Sequence, residues 1–254
     1  MRNLPKLLAL AVSALIVWMV ITALGRPSAV PEQQLHQSAN LTVKNKTQAF
    51  SILSAIKDGE YLQLTFRNDY PKTINAFTIS GGAHSGVQID LTHNDNRIVP
   101  GGIYQYKVRA ASLEPSGSTE KPLNLTVLDV VFEDGTSDGD ADAVADIQNR
   151  RLGEKIALTQ IVPLMMQTLG SRDLSSDDID HLIERISLIC TNLEKGQSGE
   201  VLGGILHAKG YVLAEMEQMK QTRVQGRNVN FQNELSRIHQ HYEKHLQRLQ
   251  TILP

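Results

Sequence analysis

The stretch VVFEDGTSDGDADAVADI, Val130 to Ile147, is where the chain changes its period, and its reading decides the fold. Val130, Val131 and Phe132 are β-formers that run into the tight-turn dipeptide Asp134-Gly135. Five aspartates then fall between Asp134 and Asp146, and from Ala141 onward apolar residues recur at helical spacing.

Upstream of this joint the period is two. In EYLQLTFRN, Leu62, Leu64 and Phe66 alternate with Gln63, Thr65 and Arg67, the pattern of a half-buried strand. AFSILSAI, TINAFTIS, GVQIDL, IYQYKV and LNLTVLDVVF read alike, and turn signals such as Lys57-Asp-Gly and Pro100-Gly-Gly stand between them. Short strands with frequent turns predict an antiparallel Ig-like β-sandwich. In the last run the apolar phase moves from Leu123, Leu125 and Val127 to Leu128, Val130 and Phe132. That shift predicts a β-bulge or a strand buried on both faces, with Asp129 at an edge or hydrogen-bonded.

Downstream, four helices are expected. The first runs to Leu169 before Gly170, with Pro163 ending or kinking it. A second starts at Ser175 or Ser176, with Asp177 and Asp178 in its first turn. The third carries Gly203, Gly204 and Gly210, which predict a tight helix contact or a break. The fourth, from about Asn230, places Phe231, Leu235, Ile238, Tyr242, His245, Leu249 and Ile252 in a heptad seam.

The amino terminus has its own logic. After Arg2 and Lys6, the segment from Leu7 to Gly25 carries no charge, and as a helix it would span about 28 Å, enough to cross a bilayer. A signal peptide is the rival reading, with Ala23-Leu24-Gly25 as cleavage match and Pro27 and Pro31 crowding its flank. Either way the bulk is expected outside the cytoplasm: anchored by a single pass with a cytoplasmic amino terminus, or secreted or periplasmic after cleavage. A net charge of -2 over 254 residues, with no basic cluster, argues against nucleic acid as a partner. Cys190 is the only cysteine, so an internal disulfide is excluded, and it reads as a buried small hydrophobe.

RNDYPKTINAFTIS, IVPGGIYQYKV and LTVLDVVFEDGTSDGD followed by ADIQNRRLGEKI resemble a group of uncharacterised bacterial proteins, mostly acidobacterial, predicted to be exported or membrane-anchored. The likeness runs from about Tyr61 to Leu169, and VVFEDGTSDGD is its most specific element. It implies a β-rich extracytoplasmic domain followed by helices. It implies no activity and no catalytic or binding residue.

Residues that carry chemistry are few. Asp138, Asp140 and Asp142 have the spacing of the first three oxygen ligands of an EF-hand-type calcium loop, and Asp146 falls at its ninth position. Ala143 stands where that loop needs glycine and Asn149 where it needs glutamate, so turn and helix cap is the preferred reading. Neighbouring acids on one turn also lack the opposed geometry of a glycosidase pair. His241 and His245, one helical turn apart, are placed to share a zinc ion, but no third ligand is evident; His239 lies on another face. His84 and His93 lie in expected loops, where a site with Asp90 is conceivable. GGAHSG does not match a nucleophile elbow, and there is no Walker or dinucleotide glycine loop.

The expected fold class is therefore α+β in several parts: an N-terminal transmembrane helix, an antiparallel Ig-like β-sandwich and a C-terminal α-helical region. The boundaries are a signal-anchor or signal peptide over 1–25, a linker over 26–45, the sandwich over 46–135 and the helical region over 136–254. The expected function is a non-enzymatic, membrane-anchored binding or scaffolding module. Its expected contacts are the membrane through the N-terminal helix and a protein partner or second copy through the helical region. No cofactor, catalytic residue or metal site is expected beyond the calcium candidates Asp138, Asp140 and Asp142. The alternatives are a calcium-dependent envelope or adhesion protein and a hydrolase whose site is assembled from distant residues.

Overall fold

A computed structural model describes residues 36–37, 41–82, 85–93, 96–113, 123–171, 173–189, 197–224 and 230–253 of the protein. All of them belong to the compact unit His36–Pro254. The strands are β1 (His36–Gln37), β2 (Leu41–Asn45), β3 (Phe50–Asp58), β4 (Tyr61–Asn68), β5 (Ile74–Gly82), β6 (Ser85–Asp90), β7 (Ile103–Arg109), β8 (Leu123–Phe132) and β9 (Ser137–Gly139). The helices are α1 (Ala141–Leu169), α2 (Ser176–Ser187), α3 (Gly199–Val224) and α4 (Phe231–Ile252).

One sheet has the order β1-β3-β4-β7 and the other β2-β8-β5-β6, with β9 also paired to β8. Their inner faces share one core, in which Phe50 and Phe66 from the first sheet meet Phe77 from the second, with ring centroids 5.2 to 5.5 Å apart. The alternation read in Leu62, Leu64 and Phe66 is real, since all three are fully buried.

Two parts of the expected fold class are corrected. The sheets are mixed, because β1 joins β3 and β2 joins β8 in parallel. The transmembrane helix is corrected as well: among the described residues no helix is long and apolar enough to cross a membrane. These helices carry charged residues along their exposed faces. The segment from Leu7 to Gly25, which carried that expectation, lies outside the described residues. What stands is an α+β fold of two sheets followed by four helices.

Within the acidic joint Asp138 and Asp140 have separate structural tasks. The Asp140 carboxylate caps α1 by accepting from the backbone N–H groups of Asp142 and Ala143 at 3.2 and 3.4 Å. Asp138 Oδ2 accepts from the N–H groups of Gln48 and Ala49 at 2.6 and 3.2 Å, tying the joint to the entry of β3. Asp142 is exposed in the first turn of α1. Between them Gly139 has φ +109°, and a Cβ there would stand 2.3 Å from the Leu128 carbonyl oxygen, so only glycine fits.

The phase change in β8 is a bulge. Ile79 faces Val127 while Thr78 faces Asp129, leaving Leu128 as the extra residue. Val130 and Phe132 then join the sandwich core, while Val131 packs outward against Val144 and Ile147 of α1. Asp129 is not at an edge: it is fully buried in the central strand β8, opposite Thr78. Burial pushes its pKa up to about 6, with Thr78 working against the rise and Asp140 and Asp146 adding to it.

Within the helical layer α1 is central, packing on α2, α3 and α4. Pro163 lies inside α1 without ending it; it is exposed, as is Thr159, whose carbonyl loses its usual i+4 N–H partner. The tight contact expected of the glycines forms at Gly204 alone. A Cβ on Gly204 would stand 1.9 Å from the Arg150 carbonyl oxygen, and one on Gly153 of α1 would stand 2.0 Å from the Val201 carbonyl oxygen. Backbone therefore meets backbone where α1 crosses α3. Gly203 and Gly210 face open space.

Two outcomes follow for stability. Gly204→Ala should cost about 2 kcal/mol or more in urea denaturation by forcing the helices apart, whereas Gly203→Ala should gain up to about 1 kcal/mol from helix propensity. The Asp129 carboxyl holds its proton more tightly in the folded protein than in an unfolded chain, where it titrates near 3.8, so it costs stability above pH 6 and that cost fades as pH falls toward 4. Asp129→Asn should accordingly raise stability at pH 8 by on the order of 2 kcal/mol and lose most of that advantage at pH 4.

Candidate functional site

Along α1 the buried stripe is Ile147, Arg151, Glu154, Leu158, Ile161 and Met165, spaced by alternating fours and threes. Two of its six members are charged, and both are almost fully buried. Burying charge is costly unless it is paired, so the partners of Arg151 and Glu154 locate the chemistry.

Arg151 holds the end of β6. Its Nε lies 2.6 Å from Asp90 Oδ2 and its Nη2 lies 3.1 Å from Oδ1, a bidentate pair, while Nη2 also donates to Asn75 Oδ1 at 2.9 Å. Burial works to raise the Asp90 pKa, but the Arg151 guanidinium outweighs it and leaves the carboxyl lowered. Asp90 Oδ1 also accepts from the Thr92 N–H and hydroxyl, at 2.9 and 2.6 Å, closing the turn that presents His93. The Thr92 carbonyl in turn accepts from Arg248 Nη1 at 2.9 Å and faces His245 Nδ1 at 3.3 Å, both from α4.

Glu154, one turn beyond Arg151, is ringed by three histidines. Its Oε2 is 3.3 Å from His93 Nε2 and 3.2 Å from His245 Nε2, and its Oε1 is 2.9 Å from His207 Nδ1 of α3. Burial works to raise the Glu154 pKa, yet the histidines hold it far below the usual carboxylate range. Burial likewise works to lower the His93 pKa, and the Glu154 carboxylate overcomes it, leaving it raised. The rings of His93 and His245 stack with centroids 3.9 Å apart and planes 27° from parallel.

The ligand atoms of His93, Glu154 and His245 all lie within 4.8 Å of one another, the arrangement needed to hold a metal ion. Among the described residues this is the one such group of three or more. Zinc bonds near 2.1 Å in a tetrahedron place ligand atoms about 3.4 Å apart. The 3.2 and 3.3 Å separations at Glu154 Oε2 match that figure and exceed the roughly 2.7–2.9 Å of a charge-assisted hydrogen bond. His245 faces the Thr92 carbonyl with Nδ1 and the Glu154 carboxylate with Nε2, so its ring is oriented from both sides. His93 Nε2 is buried, and Glu154 Oε2 at 3.3 Å is its polar neighbour among the described residues.

The cluster lies at one wall of a pocket of about 560 Å³, where β6, β7, α1, α3 and α4 meet. Tyr104 and Tyr106 enter it from β7, Tyr211 and Glu215 from α3, and His241 and Tyr242 from α4. Burial raises the pKa of both Tyr104 and Tyr106, which keeps their phenols protonated at neutral pH. Glu215 is engaged by the Tyr242 hydroxyl at 3.0 Å and by Arg237 at 3.2 Å.

Of the residues singled out in the sequence, His93 and Asp90 do come to one place, while His84 and Cys190 lie outside the described residues. His245 enters the cluster. His241 lines the pocket beside it, and His239 is buried elsewhere on α4. Asp138 and Asp140 are committed to backbone N–H groups and do not converge with Asp142. Glu154, Arg151 and His207 were missed. The available signal was a pair of charged residues on the apolar stripe of a helix whose other members are Ile, Leu and Met.

No protein-family model matches the chain, and no curated protein or solved structure does either.

The Arg151–Asp90 pair is expected to govern stability. Arg151→Met should cost about 3–5 kcal/mol in urea denaturation by leaving a buried carboxylate unpaired. Adding Asp90→Leu should cost markedly less than the sum of the two single changes in the same measurement.

Proposed function

We propose that the chain is a non-enzymatic binding module whose ligand site is the pocket between the sandwich and the helices. Its floor holds one divalent transition-metal ion, zinc by ligand chemistry, on His93, Glu154 and His245. The observation that carries this reading is the convergence of His93 Nε2 and His245 Nε2 on Glu154 Oε2, at 3.3 and 3.2 Å, with the three ligand atoms within 4.8 Å of one another. A cation among these atoms is coordinated by the two imidazoles and the carboxylate, and His207 on the other carboxylate oxygen serves as an orienting partner.

A metal-dependent hydrolase is the second reading, and one observation favours it. Three protein ligands leave a fourth position open, as in catalytic rather than structural zinc sites, and His93 and Glu154 also line the pocket. The pocket does not supply Asp90 as a base, because its carboxylate is closed off by Arg151 and Thr92.

After chelator treatment and dialysis, the protein should take up one zinc per chain by elemental analysis, with a rise in thermal midpoint. Glu154→Gln and His245→Asn should each weaken uptake by at least about tenfold, and His181→Asn on the exposed face of α2 should leave it intact. Failure of the unaltered chain to retain zinc would remove the metal from this reading.

A further inference from the structure

The pocket beside the metal-type cluster has an unbalanced set of hydrogen-bonding groups. Its carboxylates are Asp90, Glu154 and Glu215, and every one is already engaged: Asp90 by Arg151 and Thr92, Glu154 by histidines, Glu215 by Tyr242 and Arg237. The donors are not. Arg150 lines the pocket with its side chain one-third exposed, and among the described residues its only polar contact is a long one, 3.9 Å, to Glu154 Oε1. A planar guanidinium with five N–H groups is thus left facing a cavity. Tyr104 and Tyr106 are half-buried there, and their described contacts are ring contacts with Phe77, so neither hydroxyl has a protein acceptor among the described residues.

A half-buried donor without a protein acceptor holds water that a ligand with a stronger acceptor can displace. Three uncommitted donors around satisfied acids select for oxygen acceptors bearing negative charge, and a guanidinium prefers a planar or tetrahedral oxyanion it can meet with two N–H groups. We propose that the pocket takes a small organic oxyanion, a carboxylate or a phosphate ester, held by Arg150 with the hydroxyls of Tyr104 and Tyr106. This rests on the pocket being the ligand site and not on the metal. The volume of about 560 Å³ exceeds what a bare inorganic anion needs, so the oxyanion is carried on a larger body lying against the tyrosine rings. The Gln88 side-chain oxygen, buried at the pocket wall and without a hydrogen-bond partner among the described residues, is placed to accept from a hydroxyl or amide on that body.

The test uses the full chain freed of metal by a chelator and dialysed into chloride buffer. Inorganic phosphate and succinate are titrated separately by calorimetry, and zinc uptake is measured in a parallel sample with neither anion. Saturable binding of one oxyanion per chain is expected, weakened about tenfold or more in Arg150→Gln. Tyr104→Phe and Tyr106→Phe should each weaken it about threefold, with folding of all variants checked by thermal melts. Saturation by phosphate alone assigns a phosphate ester, and by succinate alone a carboxylate. If neither probe saturates, or if Arg150→Gln and both phenylalanine variants bind as tightly as the unaltered chain, the proposal is overturned. Oxyanion binding without zinc uptake would overturn the metal reading and leave this one standing.

Discussion

The buried pair between Arg151 and Asp90 is the constraint on which the other features hang. One guanidinium fixes the helical layer to the last turn of a sheet strand, and the carboxylate it holds also shapes the turn that carries His93. The same turn offers the Thr92 carbonyl to α4. Sheet, central helix and final helix are thereby indexed to one another at a single loop. The hydrophobic clusters on either side supply the bulk of the folding energy, but they are non-directional and set no such registration.

The close crossing of α1 and α3 completes the geometry from the other side. Gly153 and Gly204 let two backbones touch, which brings His207 within hydrogen-bond reach of the residue that follows Gly153. Without that approach the cluster would have three members and an unfilled flank. A buried carboxylate needs several partners at once, and here they come from a loop and two helices besides its own.

Much of the fold was legible in the residues because it rests on local chemistry. The α1 boundaries, the Ser175 cap with its Asp178 return, the Asn230 cap and the bulge in β8 all follow from patterns within a few positions. The parallel pairing of β2 with β8 was not legible, since the two strands are far apart in the chain and pairing direction leaves no mark on either. The site was legible only in fragments. His93, Glu154 and His245 are brought together over separations of 61 and 91 residues, beyond any spacing rule. The one local sign was polar residues on apolar stripes, Arg151 and Glu154 on α1 and His245 on α4, and such residues report burial before they report partners.

The backbone contact at Gly153 and Gly204 also divides the pocket into two kinds of residue. The floor is held by main-chain fit and a buried ion pair, so change there disturbs the whole unit. The walls that Tyr104, Tyr106 and Gln88 provide come from β7 and β6, the outer strands of their sheets, where side chains can be exchanged without altering strand pairing. A lineage carrying this fold can therefore drift in what it recognises while keeping its floor unchanged. Divergence among descendants should collect at Gln88, Tyr104 and Tyr106 and spare Asp90 and the glycines.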